Sequence, residues 1–339
     1  MSCGREPPIS TSIRLVRSRI TRSALMPVTL QRNTRDRRAT CDWRPIRTLP
    51  LLRSRIPRTL TAVWDGRDAA GTIVPDEAYT IAVFDRTTKA VIYDPASFSG
   101  GEFGDIEHVQ LDRTRGNLSY SLSAASRVLF RVGMKSSDHL RTVVNLEPRA
   151  KGRVVEYWNG KDSSGLIDLL KVPASYMVIS YYSLPVNSVI SFGNRSLTYA
   201  TYKPVPIGMA IGNPKTEQSA RKISPLFFRP RSTTRDFSMG LLIDDETASS
   251  LKALPVAKKG SLLRVVADEA TQKVLEGRQF EIMFYFDHQF FAESERGYLP
   301  FNMPLDPGTL SAGEHLLTIN VTTYDGLSGL ITRKIRIEK

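Results

Sequence analysis

The sequence predicts an all-β chain, a row of tandem immunoglobulin-like or fibronectin-III-like β-sandwiches. Three observations lead there. A ten-residue stretch, Trp64-Asp65-Gly66-Arg67-Asp68-Ala69-Ala70-Gly71-Thr72-Ile73, recurs as Trp158-Asn159-Gly160-Lys161-Asp162-Ser163-Ser164-Gly165-Leu166-Ile167, and an internal repeat constrains architecture before local propensity does. The segments entering and leaving that stretch alternate apolar and polar residues at period two, the pattern of half-buried strands. Between them lie Asp or Asn beside Gly, the residues that supply the positive φ and side-chain caps of a tight strand reversal.

The offset between the copies is 94 residues and holds back to Ile46-Arg47-Thr48-Leu49, which meets Leu140-Arg141-Thr142-Val143. Trp64, Asp65, Gly66, Asp68 and Gly71, with Pro75 and Tyr79 behind them, resemble the Ig-like module of the bacterial flagellar hook-capping protein family. The second copy keeps Trp158, Gly160, Asp162, Gly165 and Tyr176, with Asn159 in place of Asp and a longer run before its Tyr. The resemblance spans about residues 20 to 190. It implies a scaffold or docking module at the bacterial surface and carries no catalytic residues.

A length of 339 residues suits two to three domains, and the repeat spacing favours three. The formal net charge of +13 is unevenly placed. Residues 1 to 58 hold 14 Arg, no Lys and three acids, a net of +11, so the other 281 residues carry only +2. An anionic partner would therefore meet the N-terminal region. No run reaches the ~18 apolar residues of a membrane span, and no signal peptide is visible, so either export information lies upstream of Met1 or the protein is not exported by that route. The two cysteines, Cys3 and Cys41, are too few for a thiolate metal site. They read as free thiols or one disulfide. Ser2-Cys3-Gly4 also resembles the end of a bacterial lipobox, which makes Cys3 the candidate for a lipid anchor.

In chain order, residues 1–22 read as an Arg-rich segment. Residues 23–112 form a first Ig-like domain, with strands near Met26-Leu30, Leu60-Trp64 and Tyr79-Phe84, an Arg-rich loop from Thr34 to Pro45 and an edge strand at Ala90-Tyr93. Residues 113–190 form the second, with strands at Asn117-Leu122, Ser126-Val132, Val154-Trp158 and Tyr176-Tyr182. Five prolines make 191–235 a linker. A third sandwich, 236–339, has strands at Leu262-Val266, Phe280-Phe286, Leu316-Val321 and Ile331-Ile337, with an Asp287-His288 turn. Both Trp64 and Trp158 are expected to fill sandwich cores.

The search for chemistry yields no cofactor and no enzyme. The four histidines, His108, His139, His288 and His315, have no second ligand at metal spacing. There is no nucleophile elbow, phosphate loop or dinucleotide fingerprint. Asp65, Asp68, Asn159 and Asp162 offer a calcium ion too few oxygens and suit turn capping better. Nucleic acid is disfavoured as a partner, because residues 1–58 hold a single Trp, Trp43, among their arginines. The expected function is a non-enzymatic structural or docking component of a bacterial cell-surface or extracellular assembly, located outside the cell or in its envelope and partnered by other protein subunits. The alternative is a binding module for an anionic polymer or surface, led by the Arg-rich first domain.

Overall fold

A computed structural model describes residues 11–16, 27–32, 45–50, 52–53, 59–84, 91–93, 100–112, 114–192, 194, 236–247, 254–324 and 326–339. Cys3, Cys41, Trp43, nearly all of the Thr34–Pro45 loop and residues 195–235 of the linker lie outside them. The described chain is a series of β-sandwiches.

The first sandwich contains β1 (Thr11–Val16), β2 (Pro27–Arg32), β3 (Pro45–Pro50), β4 (Leu52–Arg53), β5 (Thr59–Trp64), β6 (Ala78–Phe84) and β7 (Val91–Tyr93). One sheet is ordered β1-β5-β4 and the other carries β6-β2-β3, with β7 on the outer edge of β6. β1 pairs antiparallel with β5 from Thr11 opposite Trp64 to Val16 opposite Thr59. Part of the Arg-rich segment expected to stand apart is therefore a strand of this sandwich: Ser12, Ile13, Arg14 and Leu15 alternate polar and apolar, and β5 offers a full-length edge to pair with.

The second sandwich contains β8 (Phe103–Asp105), β9 (Gln110–Asp112), β10 (Asn117–Leu122), β11 (Ser126–Met134), β12 (His139–Arg149), β13 (Gly152–Tyr157) and β14 (Ser175–Ser183), followed by β15 (Val189–Ile190). Its sheets run β13-β10-β9 and β12-β11-β14-β8. Alternation is plainest in β12, where Leu140, Thr142, Val144 and Leu146 turn inward and their neighbours are half-buried. Leu118, Tyr120, Phe130, Val132, Leu140, Trp158 and Ile179 share one core.

Three strands pair across the expected boundaries. The expected first domain, 23–112, includes β8 and β9, yet β8 pairs with β14 and β9 with β10. β15, at the end of the second copy, pairs instead with β6 of the first sandwich, Val189 opposite Tyr79 and Ile190 opposite Ala78. In each case a very short strand fills an edge that would otherwise leave backbone donors and acceptors unpaired.

The third sandwich contains β16 (Met239–Ile243), β17 (Glu246–Thr247), β18 (Val256–Lys258), β19 (Leu262–Ala267), β20 (Phe280–Phe286), β21 (Gln289–Ser294), β22 (Phe301–Pro304), β23 (Gly313–Thr323) and β24 (Ser328–Glu338). The sheets are β17-β16-β19-β22 and β18-β24-β23-β20-β21, with β18 parallel to the last strand. A helix that the strand pattern had not suggested, α1 (Glu269–Leu275), links β19 to β20. Asp268 caps it by accepting from the Thr271 N–H, and Lys273 pairs with Glu269 one turn back.

Candidate docking site

The repeated stretch is one local structure built twice. The Trp64 indole Nε1 donates to the Arg67 carbonyl at 2.7 Å, and that of Trp158 donates to the Lys161 carbonyl at 2.8 Å. Asp65 and Asn159 each accept from the N–H two residues on, both at 3.1 Å. Asp68 accepts from the N–H groups of Ala70 and Thr72, and Asp162 from those of Ser164 and Ile167. Gly66 and Gly160 have φ of 74° and 77°, where a side chain would be strained. The indoles are 2% and 6% exposed. Each carboxylate thus satisfies the donors of its own turn, the geometry of an Asx cap.

Two details differ from the sequence alignment. The second turn is one residue longer after its second Gly, so Thr72 corresponds to Ile167, which bonds back to Asp162 as Thr72 does to Asp68. Tyr79 and Tyr176 are not equivalents. Tyr79 is fully buried, meets Trp64 edge-on at 5.3 Å and donates its hydroxyl to the Pro75 carbonyl, the tyrosine corner of Ig-type sandwiches. Tyr176 is 53% exposed, and Phe130 takes the place beside Trp158 at 6.0 Å.

The tips of the turns part company in their surroundings. The first has Ala69 and Ala70, both exposed. The second has Ser163 and Ser164, and the Ser164 hydroxyl oxygen accepts from the Thr332 N–H and the Arg333 Nη1 of the third sandwich. Around this contact lies a seam between the second and third sandwiches. Arg131 Nη2 donates to the Gly326 carbonyl at 2.8 Å, and Asn145 Nδ2 to Asp236 at 2.9 Å. The Asn320 side chain clasps the backbone of His139, accepting from its N–H and donating to its carbonyl. His288 Nδ1 lies 2.9 and 3.0 Å from the two oxygens of Asp138, which is fully buried, and Ser137 bonds the His288 carbonyl.

Burial without full pairing marks this seam. Arg131 Nε, Arg141 Nε, Thr318 Oγ1, Ser328 Oγ and Thr332 Oγ1 are buried and have no hydrogen-bond partner among the described residues. Each such group costs about 1–3 kcal/mol if kept dry. Burial pushes the Asp236 carboxyl up to about 6, with Arg131 and Arg141 pulling the other way. Burial, then the Arg131 charge, pushes His139 down to about 4. The hydrogen bond that His288 Nδ1 donates to the Asp138 carboxylate holds His288 above the ordinary imidazole value.

The junction between the first and second sandwiches is made differently. Arg127 Nη2 meets Glu77 Oε1 at 2.6 Å with both side chains almost completely buried, and Ala78, Leu184 and Ala125 pack into a small apolar cluster. Asn194 Nδ2 donates to the Ile73 carbonyl, and its N–H to Asp76. Nothing in the sequence singled out Glu77, Arg127, Asp138, His288 or Asn320 as a pair or clasp, because each contact joins residues separated by 50 or more positions.

Elsewhere, a polar cleft of about 940 Å³ opens beside β8 and β9, lined by Glu107, His108, Ser121, Arg153 and Tyr181 among others. The remaining histidine, His315, bonds Asp287 at 2.6 Å. Among the described residues no three His, Cys, Asp or Glu side chains are placed to hold a metal ion, and no helix is long and apolar enough to cross a membrane.

No protein-family model and no curated protein matches the chain. Among solved structures it is similar to the fibronectin(III)-like modules of Clostridium thermocellum CbhA, at 9% identity and a TM-score of 0.21, over 66% of this chain and 84% of that one. It is also similar to a tetra-tandem repeat in the extending region of a large adhesion protein, at 12% identity and a TM-score of 0.20, over 93% and 68%. An endo-beta-1,4-mannanase from Thermotoga petrophila matches at 14% identity and 0.22, with 31% of this chain spanning 20% of that enzyme. Likeness at this level carries no functional weight.

Proposed function

We propose that the chain is a non-enzymatic structural or docking component of a bacterial cell-surface or extracellular assembly. In this reading the modules are residues 11–93 completed by 189–190, residues 103–183, and residues 236–339. Its hook-cap-like turns are framework, and their tips and the sheet edges are where neighbours attach. The observation that supports it is the use made of the second turn, whose Ser164 bonds the adjoining sandwich while the equivalent Ala70 of the first copy is exposed. Protein subunits of the same assembly are the partners this reading calls for.

Sedimentation of the purified chain over a wide concentration range, alone and with solubilised bacterial envelope, tests the proposal. Self-association or a stoichiometric complex with an envelope protein is expected. A chain that stays monomeric and binds no envelope protein overturns it. The charge of residues 1–58 supports a second reading, adhesion to an anionic surface, which requires affinity that falls steeply with salt and is lost when those residues are removed.

A further inference from the structure

The two junctions use different physics. The first is closed by an exchanged strand, a buried ion pair and an apolar cluster. At the second, the apolar clusters stop on either side: one is drawn from residues 106–181 and the other from 237–337, and neither crosses. What meets there is polar. Thr318 and Asn320 of β23 share an outward face with Thr332 of β24, since Thr318 lies opposite Thr332 and Asn320 opposite Leu330 in the ladder. This face is one that a sandwich normally turns to water. His139 and Ser164 of the second sandwich bond to it, through Asn320 and Thr332, and its Thr318 and Thr332 hydroxyls are buried with no hydrogen-bond partner among the described residues. Polar contacts that leave groups unsatisfied close and reopen far more readily than an apolar core.

We propose that the seam between the second and third sandwiches is a dissociable joint, latched by the Asp138–His288 pair and the Asn320–His139 clasp, and that it loosens as pH rises above neutrality. Asp138 is buried by the seam, and its nearest cationic partner is contributed by the opposite sandwich. The titratable and charged groups that face the latch are Arg131 and His139 from the second sandwich and Tyr285 and Asp287 from the third. Asp236 lies further along with Arg131 and Arg141.

His288 is raised, so its contribution is complete below the ordinary imidazole value of ~6.5 and is lost as pH climbs through the raised value. Asp236, pushed up to about 6, loses its contribution between the ordinary carboxyl value and pH 6. His139, pushed down to about 4, loses its own as pH falls from ~6.5 toward 4. The last two oppose each other in acid, and the tail of the His139 titration, which favours the closed joint as pH rises, runs about one unit above ~6.5. Above pH ~7.5 the joint responds to His288 alone of the three.

Two backbone amides report the joint directly. The His139 N–H is held by the Asn320 side chain and the Thr332 N–H by the Ser164 hydroxyl, both across the seam. Hydrogen–deuterium exchange of these two amides in the full chain, corrected for intrinsic rates and referred to ladder amides such as Phe130 and Ile319, measures opening. Between pH 6.5 and 8.5 their protection is expected to be lost progressively while the ladder amides hold theirs. His288→Gln is expected to expose them at pH 6.5 and abolish the pH response, and Ser164→Ala to expose Thr332 while retaining it. Protection that matches the ladder amides at every pH, and is unmoved by His288→Gln, makes the seam a fixed interface and overturns the proposal.

Discussion

The two copies of the tryptophan turn have nearly the same internal hydrogen bonds and different company. Within the turn, the indole bonds are 2.7 and 2.8 Å, the first caps are both 3.1 Å, and the positive-φ Gly have φ of 74° and 77°. Outside it, the first copy rests on a tyrosine corner and leaves its Ala-Ala tip exposed, and the second rests on Phe130 and commits its Ser-Ser tip to the next sandwich. The lesson is that short-range backbone satisfaction is what duplication preserved. Contacts that depend on the neighbouring chain were free to change.

The largest effects should come from what the copies share. Trp158→Ala and Trp64→Ala each remove a buried indole and the donor that closes the turn, at about 3–5 kcal/mol. If denaturant unfolding shows one of them costing under ~1 kcal/mol, the copies are not energetically equivalent and the shared-framework account fails for that sandwich. Next come the caps. Asp162 is 1% exposed and Asp68 9%, and each accepts two backbone N–H groups. Alanine at either position should cost about 1–3 kcal/mol, with Asp162 the more sensitive and asparagine restoring part of the loss. Equal losses for alanine and asparagine would point to charge in place of shape.

How far these residues could be read from the sequence follows the same division. The turn was legible because its chemistry is local: Asp and Gly at fixed spacing dictate the caps, and a second copy rules out coincidence. The strands beside it were legible from alternation. Beyond the turn the matching of letters misled. Ile73 and Ile167 look aligned, but an added residue makes Thr72 the partner of Ile167, and Tyr176 matches Tyr79 in type while its side chain is half exposed. The pairings of β8, β9 and β15 could not be read ahead, because each strand is two or three residues long and fills a sheet edge, which no local pattern records. The helix α1 carried a readable signal, an Asp268 cap with Glu269 four residues before Lys273, overlooked within a strand-rich stretch. The Glu77–Arg127 and Asp138–His288 pairs are products of topology, so their letters gave no warning.

A smaller effect separates the tips. Ser164→Ala deletes one oxygen that two donors of the third sandwich share, for about 1 kcal/mol, felt in the seam and not in the second sandwich's own unfolding. The reciprocal Ala70→Ser should be silent, because the first tip is exposed and touches no such donor among the described residues. A destabilisation by Ala70→Ser comparable to that of Ser164→Ala would mean the tips are less different than their surroundings imply.

The smallest change is the sharpest test of the two tyrosines. Removing the hydroxyl from Tyr79 leaves the ring against Trp64 but deprives the buried Pro75 carbonyl of its donor, so Tyr79→Phe should cost about 1 kcal/mol. Tyr176→Phe deletes a hydroxyl from a side chain that is 53% exposed, and water replaces whatever it contacts. The expected loss is within ~0.5 kcal/mol of zero. Paired unfolding curves of the two variants settle whether the corner exists in one copy alone. Equal losses would place a second corner in the second sandwich, and Phe130 would then be an addition to the Trp158 environment in place of a substitute for the missing tyrosine.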